Sequence, residues 1–95
     1  MSEQQMAEGL SLREDVVACD LQGGKALLDL RTSKYIKLNE TAALIWQWIG
    51  EHKTRDEMLA AMVETYDVDE AECRADIESL IGSMKEAGLI EESAA

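Results

Sequence analysis

Apolar residues along this chain follow two periods, and the change from one to the other divides it. From Val16 to Leu38 they alternate. Val17, Cys19 and Leu21 stand against Val16, Ala18 and Asp20; a second short run covers Ala26–Leu30; and Lys34–Leu38 sets Tyr35 and Lys37 against Ile36 and Leu38. A period of two is that of a half-buried strand. Gln22-Gly23-Gly24 supplies the positive φ that a tight hairpin demands, and Arg31-Thr32-Ser33 is polar and turn-like. The economical reading is three short antiparallel strands in a meander.

From Asn39 the spacing is helical. Asn39 is a good N-cap, and Glu40 follows where the helix dipole favours an acid. Leu44, Ile45, Trp48 and Ile49 recur on one face, with Trp46 on the flank, and Gly50 stands where this helix would close. Thr54-Arg55-Asp56-Glu57 has the form of a capping box before a second stripe, Met58, Leu59, Met62, Val63 and Tyr66. Asp69 and Glu72 repeat the cap spacing ahead of a third, longer helix whose stripe is Cys73, Ile77, Leu80, Ile81 and Met84; Gly88 suits its C-terminus. Leu89 and Ile90 are expected to fold back onto the core. Strands followed by helices imply an α+β fold, a three-stranded antiparallel sheet followed by three helices that must lie against one sheet face.

Ninety-five residues predict one domain with a modest core. The expected organisation is a flexible N-terminal tail over residues 1–11, a domain over 12–92 and a short C-terminal tail over 93–95. No run approaches the ~20 apolar residues of a membrane span. The first residues lack a charged-then-apolar export signal, so a cytoplasmic location is expected. Cys19 and Cys73 match no metal or redox spacing and read as reduced, small hydrophobes.

Charge changes the picture. Between Lys25 and Lys37 four basic residues (Lys25, Arg31, Lys34, Lys37) stand against one acid, Asp29, while the remainder holds five basic residues and nineteen acids. The local balance is +3 and the rest −14, within a net −11. That island falls on the strands and ends in Lys34-Tyr35-Ile36-Lys37-Leu38. An edge strand offers unpaired backbone groups to another extended chain, so the segment reads as a docking rail for a peptide. Lysine on an edge strand is also an ordinary defence against aggregation, and composition alone favours that plainer reading. A duplex binder gains affinity by neutralising phosphates, which a domain at −11 opposes; a winged-helix DNA-binding regulator is therefore the weaker alternative. Glu70, Glu72, Asp76, Glu78 and Glu86 against Arg74 and Lys85 make the third helix a poor groove reader.

Leu27-Leu28-Asp29, Tyr35, Leu38-Asn39 and Ile45-Trp46, then Tyr66 before an acidic cap, Asp76-Ile77, Leu80-Ile81, Met84 and Gly88-Leu89-Ile90 together resemble the PqqD-like family. The resemblance covers roughly residues 12–92. It implies a small winged-helix-like domain, a RiPP recognition element, that binds the leader segment of a ribosomally made precursor peptide and presents it to a modifying enzyme. The leader would lie as an added strand on the third strand, with its side chains against the third helix. Carried over residue by residue, this makes Lys34, Tyr35, Ile36, Lys37 and Leu38 the rail and Cys73, Asp76, Ile77, Leu80 and Met84 the wall. The run Lys34–Asn39 and the acidic cap of the third helix look closer to the stand-alone B1 proteins of lasso-peptide pathways, which work with a leader peptidase. A chaperone of the quinone-synthesis type, delivering to a radical-SAM enzyme, is the alternative.

Each of these residues also has a plainer role. Tyr35 is either a cross-strand aromatic or a groove residue, and if it lines the groove then Ile36 and Leu38 point the other way. Ile77 and Leu80 suit partial core burial, whereas Met84, with its adaptable thioether, reads as the better groove residue. Gly82 reads as a surface glycine or a point of close approach, and Trp46 and Trp48 as core and sub-core. His52, the single histidine, sits in a polar turn with no nucleophile near it in sequence. With no phosphate loop, ligand spacing or isolated acid pair, the expectation is a non-catalytic protein without cofactor or metal. A scaffolding subunit that binds an enzyme without any leader is the third possibility.

Overall fold

The computed structural model describes residues 9–92. In chain order the elements are β1 (Leu10–Leu12), β2 (Val16–Leu21), β3 (Gly24–Asp29), β4 (Lys34–Asn39), α1 (Glu40–Gly50), α2 (Arg55–Thr65), α3 (Glu70–Glu86) and β5 (Ile90–Glu92). The expected antiparallel meander is present as the sheet β2-β3-β4, and three helices follow it. Pairing runs without a bulge from Val16↔Asp29 to Leu21↔Gly24 and from Gly24↔Asn39 to Asp29↔Lys34. Gly23, at φ +83°, makes the two-residue hairpin possible. Gly24 lets β4 come close, because a Cβ there would run into the Leu38 carbonyl.

A second, two-stranded sheet pairs β1 with β5, Leu10 opposite Glu92 and Leu12 opposite Ile90. Leu10 and Ser11, expected in a flexible tail, are therefore part of a paired strand. Leu10, at 2% exposure, belongs to the core, and Ser11 is half-buried. Residues 1–8 and the expected C-terminal tail lie outside the described residues. Three residues, Leu10-Ser11-Leu12, are too few to signal a strand; their partner comes from the other end of the chain. β5 also realises the expected return of Leu89 and Ile90, which are 1% and 3% exposed.

All three helix starts follow their sequence signals. The Asn39 carboxamide oxygen accepts from the Ala42 N–H at 2.8 Å. Thr54 and Glu57 form the reciprocal box, Glu57 N–H to Thr54 Oγ1 at 3.1 Å and Thr54 N–H to Glu57 Oε1 at 2.7 Å. Asp69 accepts from the Glu72 N–H at 3.0 Å. Such caps contribute about 1 kcal/mol each. Gly88, at φ +77°, follows α3 as expected. Gly50 does not close α1 by a left-handed turn; that conformation falls on His52. Gly50 instead admits β1, since a Cβ there would meet Leu12 Cδ1 at 2.7 Å.

The core lies between the helices and the inner face of β3, with Leu27, Ile45, Ile49 and Met58 fully buried and Ile81 nearly so. Burying each such side chain is worth about 1.5–3 kcal/mol. Trp46 is buried and Trp48 half-buried, in keeping with their core and sub-core readings, whereas Leu44 of the expected stripe is only half-buried and Ala43 is buried. Thus α1 is rotated from the orientation its stripe suggests, because it must face β1, β3 and β4 together.

Candidate functional site

Among the described residues β4 is bonded to β3 alone, which leaves its other edge unpaired. Ile36 and Leu38 point inward and are half-buried against the core. Lys34, Tyr35 and Lys37 are exposed, Tyr35 by 73%. By alternation Tyr35 and Lys37 share the outer face, and Ile36 and Leu38 the helix-facing one.

Two of the island's four cations are committed to the fold. Lys25 pairs with Asp20 across the hairpin. Arg31 meets Asp29 at 3.0 Å and Asp15 at 3.0 Å, and its Nη2 donates to the Gly88 carbonyl at 3.4 Å. Asp29, 3% exposed, also accepts from the Arg31 N–H at 2.9 Å. The Arg31 hydrogen bond chiefly holds the Asp29 carboxyl below its ordinary range, against the opposing effect of burial. Arg31 is raised for the same reason. This knot ties the β3–β4 turn to the end of α3. Lys34 and Lys37 have no ion pair among the described residues and remain as the free positive charge of the rail.

Beyond the end of β4, the first turn of α1 opens onto a cavity of about 210 Å³. Thr41 contributes from α1, Met62 from α2, Tyr66 and Val68 from the α2–α3 connection, and Glu72, Cys73, Asp76, Ile77 and Leu80 from α3. An engineered cavity of about 150 Å³ in another protein holds a benzene. The present one thus suits one branched or aromatic side chain, and is too small for a typical cofactor. Its floor is apolar and its rim carries the Glu72 and Asp76 carboxylates. Burial, and then the Asp76 charge, push the Cys73 thiol up, so it stays protonated and acts as a small apolar surface.

Four of the five wall residues expected on α3 (Cys73, Asp76, Ile77, Leu80) line this cavity together. Met84 does not. It is 3% exposed and packed in the core, because the C-terminal half of α3 is covered by β5 and by Leu89, whose N–H donates to the Met84 carbonyl at 2.9 Å. The expectation of a groove role for Met84 is corrected accordingly. No β4 residue lines the cavity; rail and cavity are neighbours joined through Thr41. Sequence reasoning missed Thr41, Met62, Tyr66, Val68 and Glu72 as lining residues, Tyr66 having been read as part of a helix stripe and Glu72 as a cap residue. Met62 was assigned to the stripe of the second helix, and no periodic signal marks a residue in a helix's first turn or in a loop as cavity lining.

The family described as "Coenzyme PQQ synthesis protein D (PqqD)" matches residues 24–90. No curated protein sequence matches the chain. Among solved structures, TbiB1 in complex with the TbiA(beta) leader peptide is 25% identical with a TM-score of 0.82, covering 90% of this chain and 99% of that one. Lasso peptide synthetase B1 complexed with the leader peptide is 30% identical with a TM-score of 0.81, covering 87% and 98%. The chain is thus homologous to leader-binding B1 proteins of lasso peptide synthetases. With the family match spanning both the open strand and the helix of the cavity, this chain belongs to the PqqD-like family of RiPP recognition elements.

Proposed function

We propose that this protein binds the leader segment of a ribosomally made precursor peptide and presents it to a maturation enzyme, the leader peptidase of a lasso-peptide pathway. The leader adds to the open edge of β4 as a fourth strand. One apolar side chain of the leader enters the cavity of α3, and Lys34 and Lys37 guide acidic leader positions into register. The observation that carries this reading is the juxtaposition of an unpaired strand edge with a cavity sized for one side chain. Exposed ion pairs contribute only about 0–1 kcal/mol each, so most affinity comes from backbone pairing and the apolar anchor. The two B1 relatives, each in complex with a leader peptide, support leader binding as the function.

The protein itself performs no chemistry in this scheme; it raises the concentration of the precursor at the enzyme. The test is amide-resolved NMR with a synthetic leader of its precursor peptide. Slowed exchange of β4 amides and shifts along Glu72–Leu80 are expected. Binding that leaves β4 unprotected would remove the strand-addition mode. Delivery to a radical-SAM enzyme is the second reading, favoured by membership of the family of coenzyme PQQ synthesis protein D. Reconstitution with each enzyme separates the two.

A further inference from the structure

The α3 wall of the cavity is built in two rows. Cys73 and Ile77, 7% and 2% exposed, form the floor, while Glu72, Asp76 and Leu80 follow one another along the rim at the spacing of helical neighbours. Neither rim carboxylate has an ion pair among the described residues, although Glu78 on another side of the same helix meets Arg55 at 2.7 Å. The Asp76 charge reaches the floor, where it adds to burial in raising the Cys73 thiol. That thiol lines the cavity without a hydrogen-bond partner among the described residues. A guest that fills the floor therefore closes over two carboxylates. Covering them without a counter-charge costs hydration, so a neutral or acidic neighbour of the anchor is penalised. Spacing identifies which neighbour. Four residues of helix rise about 6 Å and two residues of strand about 6.6 Å. Side chains on one face of an extended peptide laid along α3 thus keep step with Leu80, Asp76 and Glu72.

We propose that Glu72 and Asp76 select leaders that carry a lysine or arginine two residues from the apolar anchor, on the same face of the strand. The inference rests on the leader-binding function proposed above and names a feature of its substrate. Rail and cavity then require opposite charges, an acid against Lys34 and Lys37 and a base against Asp76 and Glu72. A peptide seated in the wrong register brings like charges together at one end or the other. The charges that admit the leader thereby also fix where it sits. General attraction toward a chain of net charge −11 would act from any of its acids, whereas this selection belongs to two.

The test uses the purified full chain and the leader of its precursor peptide as a fluorescein-labelled synthetic peptide. Further peptides replace each lysine or arginine of the leader by glutamine, one at a time. The protein variant is Glu72→Gln/Asp76→Asn; both side chains are exposed and the Asp69 cap bonds only the Glu72 backbone, so folding is preserved. One basic residue, two positions from an apolar one, is expected to cost about fivefold in affinity when replaced, as two partly exposed ion pairs would. In the variant the unaltered leader loses the same fivefold, and replacing that residue costs less than twofold more. The control Glu64→Gln/Glu86→Gln removes as much charge from exposed sites elsewhere and leaves the fivefold effect in place. With Asp76→Lys the preference reverses, a glutamate at that leader position binding better than the base. Equal costs in wild type and variant for every basic residue overturn the proposal, as does a control that abolishes the effect equally. A coupled base at any other spacing, or a leader that binds the wild type with no such base, also overturns it. Failure of the unaltered leader to bind the wild type instead overturns the function itself.

Discussion

Replacing Leu80 tests the cavity at the point where packing and recognition meet. Leu80 is half-buried: one part of its side chain packs against the core and the remainder lines the cavity. Leu80→Ala removes three carbons, worth about 2.4 kcal/mol at roughly 0.8 kcal/mol per buried methylene. That total is divided between folding and peptide binding. With about half already realised in the free protein, the binding share is about 1 kcal/mol, a roughly fivefold loss of leader affinity. Leu80→Asp should do more, because it removes the apolar surface and adds a carboxylate beside Asp76, where the anchor would have to desolvate it. A loss of about 2–3 kcal/mol, or roughly 30- to 150-fold, is expected. Fluorescence anisotropy with labelled leader reads the affinity, and a thermal melt on the same samples reads the folding share. If both variants melt as folded proteins and bind leader within twofold of the wild type, the cavity does not receive the anchor.

Reversing both free cations, Lys34→Glu with Lys37→Glu, should weaken leader binding by up to about 2 kcal/mol at low salt and remove most of its salt dependence. Stopped-flow association at two ionic strengths checks it. Gly24→Ala should cost at least about 2 kcal/mol of stability, since the new methyl collides with the Leu38 carbonyl on the neighbouring strand; denaturant unfolding measures it. The pH dependence follows from Asp29. Its carboxyl is held below the ordinary 3.8, so its contribution is complete above about pH 5 and is lost as pH falls through the lowered value. Asp29→Asn should lower the melting temperature at pH 7 and flatten the acid limb of the stability curve; an unaltered acid limb would refute the Asp29–Arg31 assignment.

Much of this architecture is legible in local chemistry. The shift from a period of two to one of about 3.6 at Asn39, the caps at Asn39, Thr54 and Asp69, and the turn at Gly23 act over a few residues, so short segments determine them. The same locality marks the lysine-bearing strand β4, whereas the wall from Cys73 to Met84 is implied only by the family resemblance. What required the tertiary structure are the features made by residues far apart in sequence. Leu10–Leu12 becomes a strand only because Ile90–Glu92 returns to pair with it. The burial of Ala43 ahead of Leu44 depends on how α1 rotates against β1, β3 and β4 at once. Met84 and Leu80 share one helical stripe, yet β5 covers the first while the second lines the cavity, because the elements flanking a helix change along its length. A periodic pattern identifies which side of a helix is apolar, and only the packed neighbours decide which part of that side stays open to a guest.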